Sequence, residues 1–158
     1  MTTRPTSPAL DPLSVEARSG SSYPEQFKAS TEGRLKRGLG DALGLQSFGI
    51  NLVHLAPGAA SALRHWHSHE DEFVYVLEGE ITLITDAGEA LLGPGMAAGF
   101  PAGRADGHHL VNRSVETAAY LEVGDRSSQD EAFYPDDDLL LKNEGGRRFF
   151  TNRASDPY

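Results

Sequence analysis

One stretch, Gly58 to Gly79, constrains this chain more than any other. It reads GAASALRHWHSHEDEFVYVLEG, and four side chains with metal-ligand chemistry crowd into it: His65, His67, His69 and Glu72. His65 and His67 are separated by one residue. On a strand both point to the same face, roughly 6.5–7 Å apart along the chain, and can converge on one ion. The polar run Ser68-His69-Glu70-Asp71 reads as a turn, and Phe73 to Leu77 as a second strand with Glu72 at its start. A hairpin would return that carboxylate to the side of the histidine pair. Gly79 stands where the chain must turn again. His69 shares the parity of His65 and His67 but falls in the presumed turn. If a regular strand ran on to it, His69 would join the cluster and His65 would drop out.

The same texture of short apolar runs continues on both sides. Strands are expected at Phe48–Leu55, Leu63–His67, Glu72–Leu77, Ile81–Thr85, Glu89–Leu92, Met96–Phe100, His108–Asn112 and Thr117–Val123. Asp86-Ala87-Gly88, Gly93-Pro94-Gly95 and Pro101-Ala102-Gly103 punctuate them as turns. Many short strands at roughly 8–12-residue spacing predict an all-β sandwich or barrel. Residues 1–44 read as an extended arm. Pro5, Pro8, Pro12 and Pro24 break its first part, which is expected to be a loose tail anchored by residues such as Tyr23 and Phe27. In 31–46 the basic residues Arg34, Lys36 and Arg37 read as a solvated face, with a short helical turn over Asp41–Leu45. Beyond residue 125 the chain leaves the barrel. Asp136-Asp137-Asp138 lacks the alternating carboxylates of a calcium loop and reads as a solvated acidic loop. Arg147–Asn152 suggests one added edge strand, so residues 126–158 form an extension packing on the barrel.

Charge and composition narrow the function. The formal net charge of -9 argues against nucleic acid and anionic membrane surfaces. No apolar run approaches the ~20 residues of a membrane span, and no apolar leader is visible, so the cytoplasm is the expected compartment. The chain has no cysteine, so His and carboxylates must carry any metal.

The pattern Gly58…His65-x-His67-x4-Glu72-x6-Gly79 resembles the first signature motif of the cupin superfamily. Gly95-x5-Pro101-x-Gly103…His108-x3-Asn112 resembles the second. With the surrounding strands the likeness extends over residues 45–125. It implies a double-stranded β-helix, or jelly-roll barrel, with N- and C-terminal extensions. It also implies that His65, His67 and Glu72 from the first motif and a third histidine from the second bind one divalent metal. Six residues separate Gly58 from His65 where five are usual, and four separate Gly103 from His108 where two are usual. His108 and His109 are neighbours, so only one can face the interior of a regular strand. The spacing to Asn112 favours His108, whereas a bulge at Gly107 would favour His109.

Three imidazoles and one carboxylate suit Fe, Mn, Ni, Co or Zn. On an octahedral ion they leave two positions open, and on Zn they could close a tetrahedron and be structural. Val74 and Val76 are expected on the barrel wall, with Phe73, Tyr75 and Leu77 facing a second layer or a partner subunit. Trp66 should point away from the metal and be buried. Arg64, Arg104, Asp106 and Tyr120 are weaker candidates for contact with a bound anion or for proton donation. The resemblance implies a metal-dependent enzyme acting on a small organic molecule, of dioxygenase, epimerase/isomerase or lyase type. The alternative is a non-catalytic module that senses or stores a small ligand. Family habit and the apolar-flecked arms imply a homodimer.

Overall fold

The computed structural model describes residues 7–158 and is built almost wholly of antiparallel strands. In chain order they are β1 (Arg34–Gly38), β2 (Phe48–Leu55), β3 (Trp66–His67), β4 (Glu72–Glu78), β5 (Ile81–Thr85), β6 (Gly88–Leu92), β7 (Ala97–Phe100), β8 (His109–Val111), β9 (Ala118–Asp125), β10 (Ala132–Tyr134), β11 (Leu139–Glu144) and β12 (Arg147–Thr151). Two 3-10 helices, Pro12–Ser14 and Glu25–Thr31, precede β1, and one helical turn, α1 (Leu39–Ala42), follows it. Three sheets result, ordered β1-β2-β9-β4-β7, β12-β11-β10-β3 and β6-β5-β8. The all-β class expected from strand spacing is the class observed. Among the described residues no helix is long and apolar enough to cross a membrane.

Alternation along the central strands explains the main core. Val53 lies opposite Tyr120, and Tyr120 opposite Val76, so three adjacent strands of the five-stranded sheet turn the same face inward. All three side chains are fully buried. They pack with Leu55, Val74, Ile81, Leu92 and Leu110, which joins the five-stranded sheet to the three-stranded one. Each such aliphatic side chain contributes about 1.5–3 kcal/mol on full burial. Asn112 ties the layers together from inside. Its Nδ2 donates to the Leu55 and Glu116 carbonyls, and its Oδ1 accepts from the backbone and hydroxyl of Ser114. The opposite parity of β4 puts Phe73, Tyr75 and Leu77 on the outer face, where no second layer among the described residues covers them and each stays about 40% exposed.

A second core carries corrections to the sequence reading. Tyr23, an expected anchor of the N-terminal arm, does pin it. Tyr23 is buried with Ala132, Tyr134 and Leu139, and its ring stands edge-on to Tyr134 and Phe150 at 5.8 and 5.6 Å. Pro5 and the rest of residues 1–6 lie outside the described residues. The segment read as a solvated basic face contains β1, which pairs along its whole length with β2. Its inward residues are charged, which hides the alternation. Arg34 is nonetheless 91% buried in effect, with only 9% of its surface exposed. Its guanidinium donates to the Ser61 and Gly20 carbonyls at 2.5 and 2.6 Å, and Lys36 pairs with Glu122 at 2.7 Å. The helical turn begins two residues before its expected start. The C-terminal extension forms three strands rather than one, and β10 pairs with β3 (Ala132 opposite His67, Phe133 opposite Trp66). The expected strand Leu63–His67 shrinks to two residues, although His65 still pairs with His108 through an isolated bridge.

The turn after β4 is the tightest backbone approach among these elements. Gly79 has φ +75°, and a Cβ there would lie 2.8 Å from Ala118 Cα and 2.9 Å from the Thr117 carbonyl. Gly20 has a similar φ of +78° but open space around it. Gly79→Ala should therefore cost more than the ~1–2 kcal/mol expected of left-handed backbone alone, and Gly20→Ala no more than that. Urea denaturation of both variants reads the difference; equal losses would contradict the steric account.

Candidate metal centre

His65 just before β3, His67 on β3, Glu72 at the start of β4 and His108 just before β8 come to one place. His65 Nε2 stands 3.5 Å from Glu72 Oε2, His67 Nε2 3.5 Å from Oε1, and His108 Nε2 2.7 Å from Oε2. The His65 ring centroid lies 5.0 Å from that of His67 and 4.9 Å from that of His108. The backbone explains the convergence: the His65–His108 bridge sets two of the rings side by side, and β3 parity adds the third. His109 turns away, with its Nδ1 2.9 Å from the Ala62 carbonyl. His69 is exposed, and its Nδ1 lies 2.7 Å from the Ser68 hydroxyl. Neither belongs to the group.

Each ring is held from behind. His65 Nδ1 donates to the Leu63 carbonyl at 2.7 Å, which leaves Nε2 as the free lone pair facing Glu72. His67 Nδ1 donates to Asp130 Oδ2, also at 2.7 Å. The His108 ring lies flat on Phe100, 3.5 Å between centroids and 1° from parallel. Asp130 has no exposed surface, and its Oδ1 accepts from the backbone N–H groups of His69 and Glu70 at 3.0 and 3.2 Å. Glu70, expected in an open turn, is buried and accepts from Ser127 N–H and the Arg148 guanidinium. The sequence reading missed both acids. Asp130 lies 63 residues beyond His67, and nothing in its neighbours marks it. His67, Glu70 and Asp130 form a second tight triple, but the hydrogen bonds just described already occupy both carboxylates.

The electrostatics of the group follow from burial opposed by neighbours. Burial pushes the Glu72 carboxyl up, but His108, His65 and His67 outweigh it and hold Glu72 well below the usual carboxylate range. Burial disfavours charge on His67, yet Asp130 and Glu72 raise it to about 10. His108 is lowered, chiefly by burial. Burial raises Asp130, and the His67 ring and the His69 amide more than reverse that.

These residues fit a divalent cation. Glu72 Oε2 is buried and makes no well-aligned hydrogen bond, although two ring nitrogens crowd it at 2.7 and 3.5 Å. Three imidazole Nε2 atoms and a carboxylate aimed at one point, with two Nδ1 atoms engaged elsewhere, form a donor set suited to a first-row metal or zinc.

The cluster opens onto a cavity of about 170 Å³ bordered also by Trp66, Phe100, Arg104 and Asp106. Trp66 is therefore not directed away and buried. It stacks on Phe133 at 4.4 Å and forms one wall of this cavity, because β3 is too short to impose strict alternation. Arg64 is occupied by Asp86 and Asp136, so the acidic loop is tied down at Asp136 while staying exposed. The Tyr120 hydroxyl is buried without a hydrogen-bond partner, beside a small void that also touches Glu72.

Residues 51–124 match the family model of the cupin domain. A crystal structure of a sugar phosphate isomerase of the cupin superfamily from Silicibacter pomeroyi is 46% identical over 96% of each chain, with a TM-score of 0.91. The chain belongs to the cupin superfamily. A candidate sugar phosphate isomerase from Acidithiobacillus ferrooxidans is 35% identical over 79% of this chain and 80% of its own, with a TM-score of 0.72. The polyketide cyclase RemF from Streptomyces resistomycificus shares the fold at 24% identity over 74% of this chain and 78% of its own, with a TM-score of 0.62. Among curated proteins none matches significantly.

In this cupin the barrel supplies the converging rings and the C-terminal extension supplies the carboxylate that orients one of them. Asp130→Asn keeps the two backbone hydrogen bonds but offers an N–H to His67 Nδ1. The proton then moves to Nε2, the nitrogen facing Glu72. A divalent ion taken up by this group should bind about 10–100-fold more weakly, by calorimetric titration, with an unchanged circular dichroism spectrum. Unaltered affinity would show that the carboxylate plays no part.

Proposed function

We propose that this cupin is a metal-dependent isomerase of small sugar phosphates, with one divalent ion held by His65, His67, Glu72 and His108. The observation that carries the reading is the convergence of three imidazole Nε2 atoms on the Glu72 carboxylate at the inner end of a cavity. The likeness to two structures named for sugar phosphate isomerisation supports this reaction over the dioxygenase and lyase types.

A bound ion would supply Lewis acidity, polarising a carbonyl or its neighbouring hydroxyl. The chain's own residues do the rest. Phe100, Leu83 and Pro101 give part of the cavity wall an apolar surface. Trp66, braced by Phe133, presents a rigid surface to the C–H face of a sugar. Isomerisation moves a proton between adjacent carbons, which needs a carboxylate or imidazole beside the substrate. Glu70 and Asp106 border the same cavity outside the ligand group. We read residues 45–125 as the barrel, residues 1–44 as its arm, and 126–158 as the extension that completes the site through Asp130.

Elemental analysis of the purified protein identifies the ion. Aldose–ketose interconversion, assayed by chromatography of three- to six-carbon sugar phosphates with each candidate metal, tests the reaction. His67→Ala should lose both the ion and at least about 10²-fold in turnover. Saturable ligand binding with no product from any metal form would instead make the chain a binding module.

The same reading includes a homodimer. Phe73, Tyr75 and Leu77 lie exposed in one row on the outer face of the five-stranded sheet, beside Leu121 and Val123 on β9. Such a contiguous apolar row favours covering by a second copy. Tyr75→Glu should shift sedimentation towards the monomer; a native chain that sediments as a monomer at micromolar concentration would end this part of the reading.

A further inference from the structure

The cavity presents a charge problem to any phosphorylated ligand. Three carboxylates border it, Glu70, Glu72 and Asp106, in a chain of net charge -9. A dianion entering there is repelled unless a free cation meets it. Two nearby guanidinium groups are already engaged. Arg64 is paired with Asp86 and Asp136, and Arg148 with Glu70 at 2.5 Å. Arg104 differs. It borders the cavity, and among the described residues its side chain makes no hydrogen bond and no ion pair.

The loop that carries Arg104 is held at both ends. Ala102 N–H donates to Asp71 Oδ1 at 2.7 Å, and Gly103 N–H donates to the His67 carbonyl at 2.8 Å. On the other side Asp86 N–H donates to Asp106 Oδ1 at 2.8 Å, and Arg64 Nη1 to the Gly107 carbonyl at 3.1 Å. Gly103 has φ +75°, and a Cβ on Gly107 would meet Pro135 at 2.8 Å. Residues 101–107 therefore hold Arg104 at a defined place on the cavity rim, one hydrogen bond from the strand that carries His67.

We propose that Arg104 forms an anion subsite at the mouth of this cavity and anchors the phosphate monoester of the substrate. The inference rests on reading the cavity as the substrate site. It orients the ligand: the phosphate lies at the rim on a planar guanidinium able to donate two parallel hydrogen bonds, and the reacting carbonyl end points inward to the histidine cluster. Arg104 then selects phosphorylated over neutral sugars.

Trp66 is the only tryptophan of the chain and borders the same cavity, so its fluorescence reports occupancy without turnover. Inorganic phosphate is titrated into the purified native protein and into Arg104→Gln, Arg104→Lys and, as a remote control, Arg147→Gln. The expected result is a saturable change in the native and control proteins. The phosphate dissociation constant should rise about tenfold or more in Arg104→Gln and by less in Arg104→Lys. Equal phosphate affinity in native protein and Arg104→Gln, or no saturable change in the native protein, overturns the subsite. A chain that isomerises no sugar yet loses phosphate on Arg104→Gln keeps the subsite and defeats only the isomerase reading. A chain that isomerises a sugar phosphate with unchanged KM in Arg104→Gln defeats only the subsite.

Discussion

A fully buried carboxylate, Asp130, accepts the Nδ1 proton of His67 while two backbone N–H groups hold its other oxygen. Much of the site's order depends on this arrangement. An imidazole has two nitrogens, and only a fixed partner on one decides which carries the proton. With Asp130 and the Leu63 carbonyl in place, His65 and His67 both turn Nε2 towards Glu72. Without them the rings would be free to exchange tautomers, and the convergence on Glu72 would lose its meaning. A buried, unpaired Asp130 would also be costly, so the bond supports the local fold as well as the ring.

The opposition of burial and charge gives the group its character. Taken alone, burial would neutralise Glu72, His67 and His108 alike. Their closeness reverses that direction for both Glu72, which is held low, and His67, which is raised. His108 stays on the neutral side, sandwiched against Phe100 and short of hydrogen-bond partners. One chain thus keeps basic nitrogens and a carboxylate anion within a few ångströms of one another, the donor chemistry a divalent cation requires.

The legible parts of the molecule were those where local pattern and tertiary role coincide. Phe48–Leu55 and Ile81–Thr85 alternate or run apolar between clear turn signals, and both strands appear with the expected bounds. The His65-x-His67 parity and the return of Glu72 likewise follow from strand geometry over a short span. β1 was illegible because its inward positions are Arg34, buried only because distant carbonyls receive it, and the half-buried Lys36, paired with Glu122. Trp66 misled because a two-residue strand does not enforce alternation. Asp130 and Glu70 were beyond reach for a different reason. Their role depends on β10 lying beside β3, a pairing between distant segments that no local periodicity announces.

That pairing also bears on the order in which the molecule matures. Among the described residues β3 takes its only ladder from β10, and the sheet behind it closes with β12, which ends at Thr151. During synthesis the central layers can collapse on their own apolar faces well before this point. The strand bearing His67 gains its neighbour and its anchoring acid only once residues 130–134 have left the ribosome. A stop between the end of β9 and Asp130 would thus leave the main apolar core its strands but deprive His67 of its neighbour and its anchoring acid.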